Sequence, residues 1–192
     1  MAQLDQLKTH LTRGKVYRRN DLLKWTTAVD RHLEQLVGEG TLQKLAHGLY
    51  YYPKVSVFGK VPPEEKQLVK RFLNDDRFLL TTPNAYNSLG VGTTQLYNER
   101  VVYNHKRHGE YEIGNQQFHF RIKPHFPLKA SEEFLLVDLV NNLDRLEEDQ
   151  TMIWQNVSRK VRCMNSKKIN HAFTKYGTER AKKLFKSIAP LQ

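Results

Sequence analysis

Apolar residues recur along the first 60 positions at two spacings, and the switch between them marks the elements. Leu4, Leu7 and Leu11 stand at i, i+3 and i+7, which predicts an opening helix that ends by Gly14. A strand follows at Val16. Asn20 is then placed to cap a short helix through Trp25, with Asp21 in the first turn, where the helix dipole favours a negative charge. Thr26 and Thr27 break that helix, and Thr27 with Asp30 has a capping-box-like spacing. Val29, Leu33, Leu36 and Val37 form one apolar stripe, so a helix over Thr27–Glu39 is expected, with Gly38 or Gly40 as its stop. Leu42–Leu45 and Leu49–Tyr52 have strand character. Ala46-His47-Gly48 reads as a three-residue loop between them, with glycine where a left-handed backbone is easiest.

The remaining chain follows a different plan. Lys54–Pro63 contains Gly59, Pro62 and Pro63 and reads as a linker. Glu64–Asn74 is expected to be helical and Arg77–Thr81 a strand. Thr82 then caps a helix whose first position is Pro83, where the missing amide proton costs nothing. Val101–Tyr103, Tyr111–Ile113 and Phe118–Ile122 predict three antiparallel strands. Ser131 opens a helix in which the apolar run from Phe134 to Leu146 leaves little polar face, so it is packed on more than one side. Three amphipathic helices close the chain, the last after Gly177 and a Thr178 cap. The predicted class is α+β: a winged helix-turn-helix over residues 1–56, then a mixed α/β domain over 61–192 with a small antiparallel sheet and a helical end.

A helix beside a basic hairpin, in this order, is the plan whose usual partner is double-stranded DNA. Thr26, Thr27, Asp30, Arg31, Glu34 and Gln35 are left facing outward on the helix, where the N-terminal ones can reach base edges in the major groove. Arg18, Arg19, Asn20, Lys44 and His47 complete the candidate DNA-binding set, chiefly near phosphates, which position without specifying.

Net charge is +11, and its distribution sharpens this reading. Residues 1–60 carry ten basic and five acidic side chains, whereas 129–149 carry two and seven. Residues 150–192 carry ten basic side chains and one acid, Glu179. Lys160, Lys167, Lys168, Lys175, Lys182, Lys183 and Lys186 form a candidate second basic surface there. Two basic regions fit a polyanion met at two places. Solvated lysine-rich helix faces, or an acidic protein partner, are the competing readings.

Three pieces of the N-terminal region, Arg19-Asn20-Asp21-Leu22, Val29-Asp30-Arg31-His32-Leu33 and Gly38-Glu39-Gly40-Thr41-Leu42, precede Gly48-Leu49-Tyr50-Tyr51-Tyr52-Pro53. In that order and spacing they resemble the N-terminal domain of the AbiEi family of antitoxins and transcriptional regulators. Phe78-Leu79-Leu80-Thr81-Thr82-Pro83-Asn84-Ala85, continuing to Leu89-Gly90, is similar to the start of that family's C-terminal domain, and the likeness fades after Gly92. The resemblance implies an autoregulating antitoxin of a type IV toxin-antitoxin system. Such a protein binds the operator upstream of its own gene and opposes a nucleotidyltransferase toxin without a stable complex. A winged-helix regulator without a toxin, and an RNA-binding protein using the C-terminal helices, are the alternatives.

Enzymatic chemistry finds little footing. A nucleotidyltransferase needs a Gly-Ser pair and closely spaced carboxylates, and the chain has neither Gly-Ser nor Asp-x-Asp. There is no phosphate-cradling glycine-rich loop. His105 and His108 have metal-like spacing but lack cysteine partners, so neither a metal nor another cofactor is expected. Glu147-Glu148-Asp149 reads as a solvated helix end. The single cysteine, Cys163, lies among helical apolar positions, which predicts a packed thiol. No apolar run approaches 18 residues, and Met1-Ala2-Gln3-Leu4-Asp5 lacks a signal pattern, so a cytoplasmic protein is expected.

Overall fold

A computed structural model describes residues 3–188; Met1 and Ala2 of the leader reading lie outside it. The architecture is mixed α+β, with a small antiparallel sheet, further sheets and a helical C-terminal region. Two compact units divide the chain. The first holds the residues up to Asp76 together with Gly109–Phe118; the second holds Arg77–His108 and the residues from His119 onward.

The first unit begins with α1 (Gln3–His10), β1 (Val16–Arg18), α2 (Arg19–Leu22) and α3 (Val29–Gly38). Strands β2 (Gln43–Ala46) and β3 (Leu49–Tyr51) follow, and β3 lies between β1 and β2 in an antiparallel sheet. Leu7, Leu22, Leu33, Leu36 and Leu42 meet in one apolar cluster, as the helical and strand spacings require. Gly40 takes a positive φ of 73° just past α3, which lets the chain turn back so that the Leu42 N–H bonds the Leu36 carbonyl at 3.0 Å.

Several local expectations are corrected. Asn20 is exposed inside α2 and caps nothing; Arg18 holds the cap position, and its N–H donates to Asp21 Oδ2 at 3.3 Å. The helix is only a single turn, ending before Trp25. Thr27 does not cap α3 either, since the cap residue is Ala28. The turn joining β2 to β3 is two residues, His47–Gly48, because Ala46 still pairs with Leu49 across a register shift after Lys44.

The stretch read as a linker is a second hairpin, β4 (Lys54–Ser56) and β5 (Gly59–Val61). The two prolines fall after the paired strands, so they do not interrupt the hairpin. Helix α4 (Glu65–Leu73) then packs on β1, where the Gln67 side-chain oxygen accepts the Val16 N–H at 2.7 Å. The first unit thus includes α4 and reaches Asp76.

The second unit contains β6 (Leu79–Thr81), a 3-10 helix at Pro83–Leu89 and β7 (Arg100–Asn104). Within it β6 pairs antiparallel with β7; β8 (Gly109–Ile113) belongs to the first unit, and β9 (Gln116–Ile122) follows it in the chain. Thr82 caps the 3-10 helix, Ser131 caps α5 (Glu132–Asn142), and Asp149 caps α6 (Gln150–Cys163) through the Met152 N–H. Helices α7 (Ser166–Tyr176) and α8 (Glu179–Ile188) complete the unit, and the Thr178 hydroxyl accepts the Ala181 N–H at 3.2 Å. The core runs from Leu136, Val137 and Leu139 on α5 to Ile153, Val157, Phe173 and Phe185 on the closing helices. Cys163 is exposed, contrary to the packed thiol expected, because it falls on the last turn of α6 outside the Ile153–Val157–Val161 stripe.

Candidate nucleic-acid interface

Helix α3 divides its side chains cleanly. Val29, His32, Leu33 and Leu36 are buried, whereas Asp30, Arg31, Glu34 and Gln35 are exposed. This follows from the 3.6-residue period, with one stripe facing the core and the other left to solvent. Ten residues make the helix about 15 Å long, which fits the major groove.

The turn before the helix separates two threonines that sequence alone treats alike. Thr26 is only 4% exposed, and its Oγ1 lies 2.8 Å from His32 Nδ1 and accepts the Ala28 N–H at 3.2 Å. It fixes the entry to α3 and is removed from the outward-facing set. Thr27 is exposed and donates to the Gln3 side-chain oxygen at 3.3 Å. Period counting could not distinguish them, since neither sits within the helix.

Arg19 and Asp30, both candidates for DNA contact, are bound to each other. Arg19 Nε and Nη2 reach Asp30 Oδ1 and Oδ2 at 2.6 and 2.5 Å, a fork-to-fork pair. The hydrogen bonds from Arg19 hold the Asp30 carboxyl below its ordinary range, and the same bonds raise Arg19. At the other end of the helix Glu39 accepts from Lys8 at 3.0 Å and from Gln35 at 2.8 Å, and those bonds lower its pKa. Two of the three acids at this face are thus neutralised by neighbours, leaving Glu34. Arg31 has no ion-pair partner among the described residues, so its guanidinium is available to a ligand.

The β2–β3 turn adjoins the start of this helix. The Arg19 N–H bonds the Gly48 carbonyl at 2.9 Å, which seats the turn beside the Arg19–Asp30 pair. Gly48 has φ 68°, a conformation that keeps the two-residue turn tight. His47 and Lys44 are exposed there, and Arg18 is half-buried in the cap position. The unit also holds Arg13 with its guanidinium 5.3 Å from the Tyr52 ring centre and Lys24 4.3 Å from that of Trp25. From Gly40 to Pro63 the chain contains no acidic residue. Both hairpins of this unit fall in that run, and sequence analysis missed the second, with Lys54 and Lys60, because its prolines suggested a linker.

The second basic region is only partly assembled. Lys167, Lys182, Lys183 and Lys186 line a cleft of about 910 Å³ floored by Phe173 and Phe185. Lys160 is instead engaged with Glu132 at 2.7 Å, and Lys168 and Lys175 lie outside that lining. Glu179 shares the cleft and pairs with Lys182 at 3.0 Å, and that bond lowers the Glu179 pKa.

A polar cluster that the sequence did not announce lies in the core of the second unit. Asp138, only 1% exposed, accepts from Tyr86 Oη at 2.8 Å, Tyr103 Oη at 2.9 Å and Lys123 Nζ at 2.7 Å. Asn142, one turn further along α5, donates to the Asp138 carbonyl at 2.7 Å and to both phenol oxygens at 3.3–3.4 Å. Burial, reinforced by the Asp138 charge, raises both tyrosines. Every donor has its acceptor, so the cluster is a structural lock rather than a site awaiting substrate. The sequence signal was Asp138 and Asn142 at i, i+4 on a helix whose stretch Phe134–Val140 is otherwise apolar.

No group of three or more metal-ligating side chains gathers among the described residues. The His105 ring packs against Phe126, with centroids 4.7 Å apart. No described helix is long and apolar enough to cross a membrane.

Fold and surface together define a mixed α+β protein whose first unit sets a polar helix face beside an acid-free pair of hairpins. The chain belongs to DUF6088, a family of unknown function whose model matches residues 3–175. No curated protein matches it.

Proposed function

We propose that the first unit is a winged helix-turn-helix that binds duplex DNA, and that the protein is a transcriptional regulator. The observation that carries this reading is the polar outer face of α3, joined through Arg19 to the turn of a short antiparallel hairpin. Arg31 and Gln35 read base edges, with Glu34 able to accept from a cytosine amine. Lys44, His47 and Arg18 meet phosphates beside them. Thr26 acts from within, by holding the turn that aims the helix.

The resemblance to AbiEi antitoxins extends the proposal. The protein then represses its own operon and opposes a nucleotidyltransferase toxin encoded nearby, without a lasting complex. The cleft of Lys167, Lys182, Lys183 and Lys186 favours a second reading, in which the C-terminal helices hold RNA. That reading predicts binding with little sequence preference.

A gel-shift titration tests the first reading. The full chain is titrated on the duplex upstream of its own gene and on a random duplex of equal length, at two salt concentrations. Preference for the upstream duplex that survives higher salt is expected. Arg31→Ala is expected to cost about 1–3 kcal/mol on that duplex and less on random DNA. Equal, salt-sensitive binding to both duplexes, unchanged by Arg31→Ala, would sink it.

A further inference from the structure

The β4–β5 hairpin carries its least soluble residues at its tip. Val57 and Phe58 form the turn and are 94% and 97% exposed. Hairpin turns of two residues favour glycine, asparagine and aspartate, so an apolar pair here is contrary to turn chemistry. Folding does not explain it either, since neither side chain packs on the cluster that holds the unit together.

The tip is braced. Ser56 Oγ accepts the Phe58 N–H at 3.2 Å and donates to the Gly59 carbonyl at 3.1 Å. Gly59 has φ 105°, a backbone that a side chain would strain. The base is fastened at three points. Tyr51 Oη donates to the Val61 carbonyl at 2.9 Å, Lys60 Nζ reaches the Gly40 carbonyl at 3.4 Å, and the stem of Lys54 covers Gly14. Gly40 lies just past the C-terminal end of α3, so the hairpin is tied to the end of that helix opposite Arg19. An apolar point thus stands on a rigid stem bearing two lysines, within a run of chain that has no acidic residue.

We propose that Val57 and Phe58 are a wedge that enters the minor groove of duplex DNA and partly unstacks one base step, while Lys54 and Lys60 engage the flanking phosphates. This rests on the DNA-binding reading of the same unit. An apolar side chain gains contact area between bases that it cannot gain in water, and the cost of opening a step is least where stacking is weakest. The wedge therefore adds preference for TA and CA steps without a hydrogen bond to any base. Positive charge on the stem favours this occupant over an apolar protein groove or a second copy of the chain.

The probe is a 30-base-pair duplex with alternating TA and CA steps, carrying 2-aminopurine at one step in each member of a series. Fluorescence at one position rises on binding if the wedge opens a step there. Phe58→Ala abolishes that rise and weakens binding about tenfold, while Phe58→Tyr keeps both. Lys54→Gln and Lys60→Gln each reduce the salt slope by about one. Binding by the unaltered protein with no fluorescence rise at any position, and with Phe58→Ala of equal affinity, overturns the wedge alone. Loss of self-association in Phe58→Ala, with unaltered DNA binding, also overturns it, by giving the tip to a second copy. Failure of the unaltered protein to bind any duplex overturns the DNA-binding reading and the wedge together.

Discussion

Helix α3 in the first unit and helix α5 in the second both carry an aspartate gripped by a basic side chain, and the two aspartates stand for opposite uses of charge. Asp30 faces solvent, where its pair with Arg19 is open to water and salt. Asp138 is closed inside the core, where two phenols and Lys123 occupy its oxygens. An exposed pair is held weakly because water and salt compete for both charges. Asp138 is shielded from that competition on its own side, with Lys123 only 24% exposed, and removing one partner strands the other. The difference separates a surface that can meet a ligand from one that holds the fold.

The largest effect expected is at the buried pair. Asp138→Ala leaves Lys123 without its carboxylate and both phenols without their acceptor. It should lower unfolding free energy by about 3–5 kcal/mol, read by urea denaturation. Duplex affinity of the molecules that remain folded should not change, since Asp138 belongs to the second unit. A loss below about 1 kcal/mol would mean that water reaches this cluster and that the contrast with Asp30 is one of degree.

The same cluster predicts alkaline sensitivity. Burial first, and the Asp138 charge second, raise Tyr103 and Tyr86 above the ordinary value of 10.0. Above pH 10 the unfolded chain releases phenolic protons that the folded chain retains. Stability is therefore complete below pH 10 and falls as pH rises beyond it, by up to about 1.4 kcal/mol per pH unit for each phenol. Tyr103→Phe should cost about 1–3 kcal/mol at neutral pH, because Asp138 loses a donor. It should also make the decline from pH 10 to 11.5 shallower than in the unaltered protein. Parallel declines in urea titrations across that range would show that Tyr103 already ionises freely.

Legibility in the sequence followed the reach of the forces involved. The stripe Val29, Leu33, Leu36 and the caps at Ser131 and Thr178 depend on neighbours a few residues away, so local spacing suffices to find them. Asp138 meets Tyr86, Tyr103 and Lys123 only after strands and helices far apart in sequence have folded together. Local spacing shows an acid within an apolar stretch but not the partners it will meet. Thr26 and Thr27 show the same limit at short range, because which of them turns inward is decided by His32 and Gln3. The β4–β5 hairpin was hidden for another reason: Pro62 and Pro63 promised a break, but they fall after the strand pair, where no ladder hydrogen bond is lost.

The smallest effect, and the one that sharpens the contrast most, is at the exposed pair. Asp30→Asn removes the carboxylate that occupies Arg19 and takes one negative charge from the α3 face. Stability should change little, because both side chains are solvated and the helix keeps its apolar stripe. Random duplex should instead be bound more tightly, with the salt slope steeper by about one, as the released guanidinium finds a phosphate. Affinity for the upstream duplex should rise by a smaller factor, so sequence preference narrows. This pattern is the inverse of that for Asp138→Ala, which alters stability and leaves DNA binding alone. If Asp30→Asn destabilised the protein while its DNA binding stayed fixed, the Arg19–Asp30 pair would be a structural clasp, and the α3 face would lose its claim to be the surface that meets the duplex.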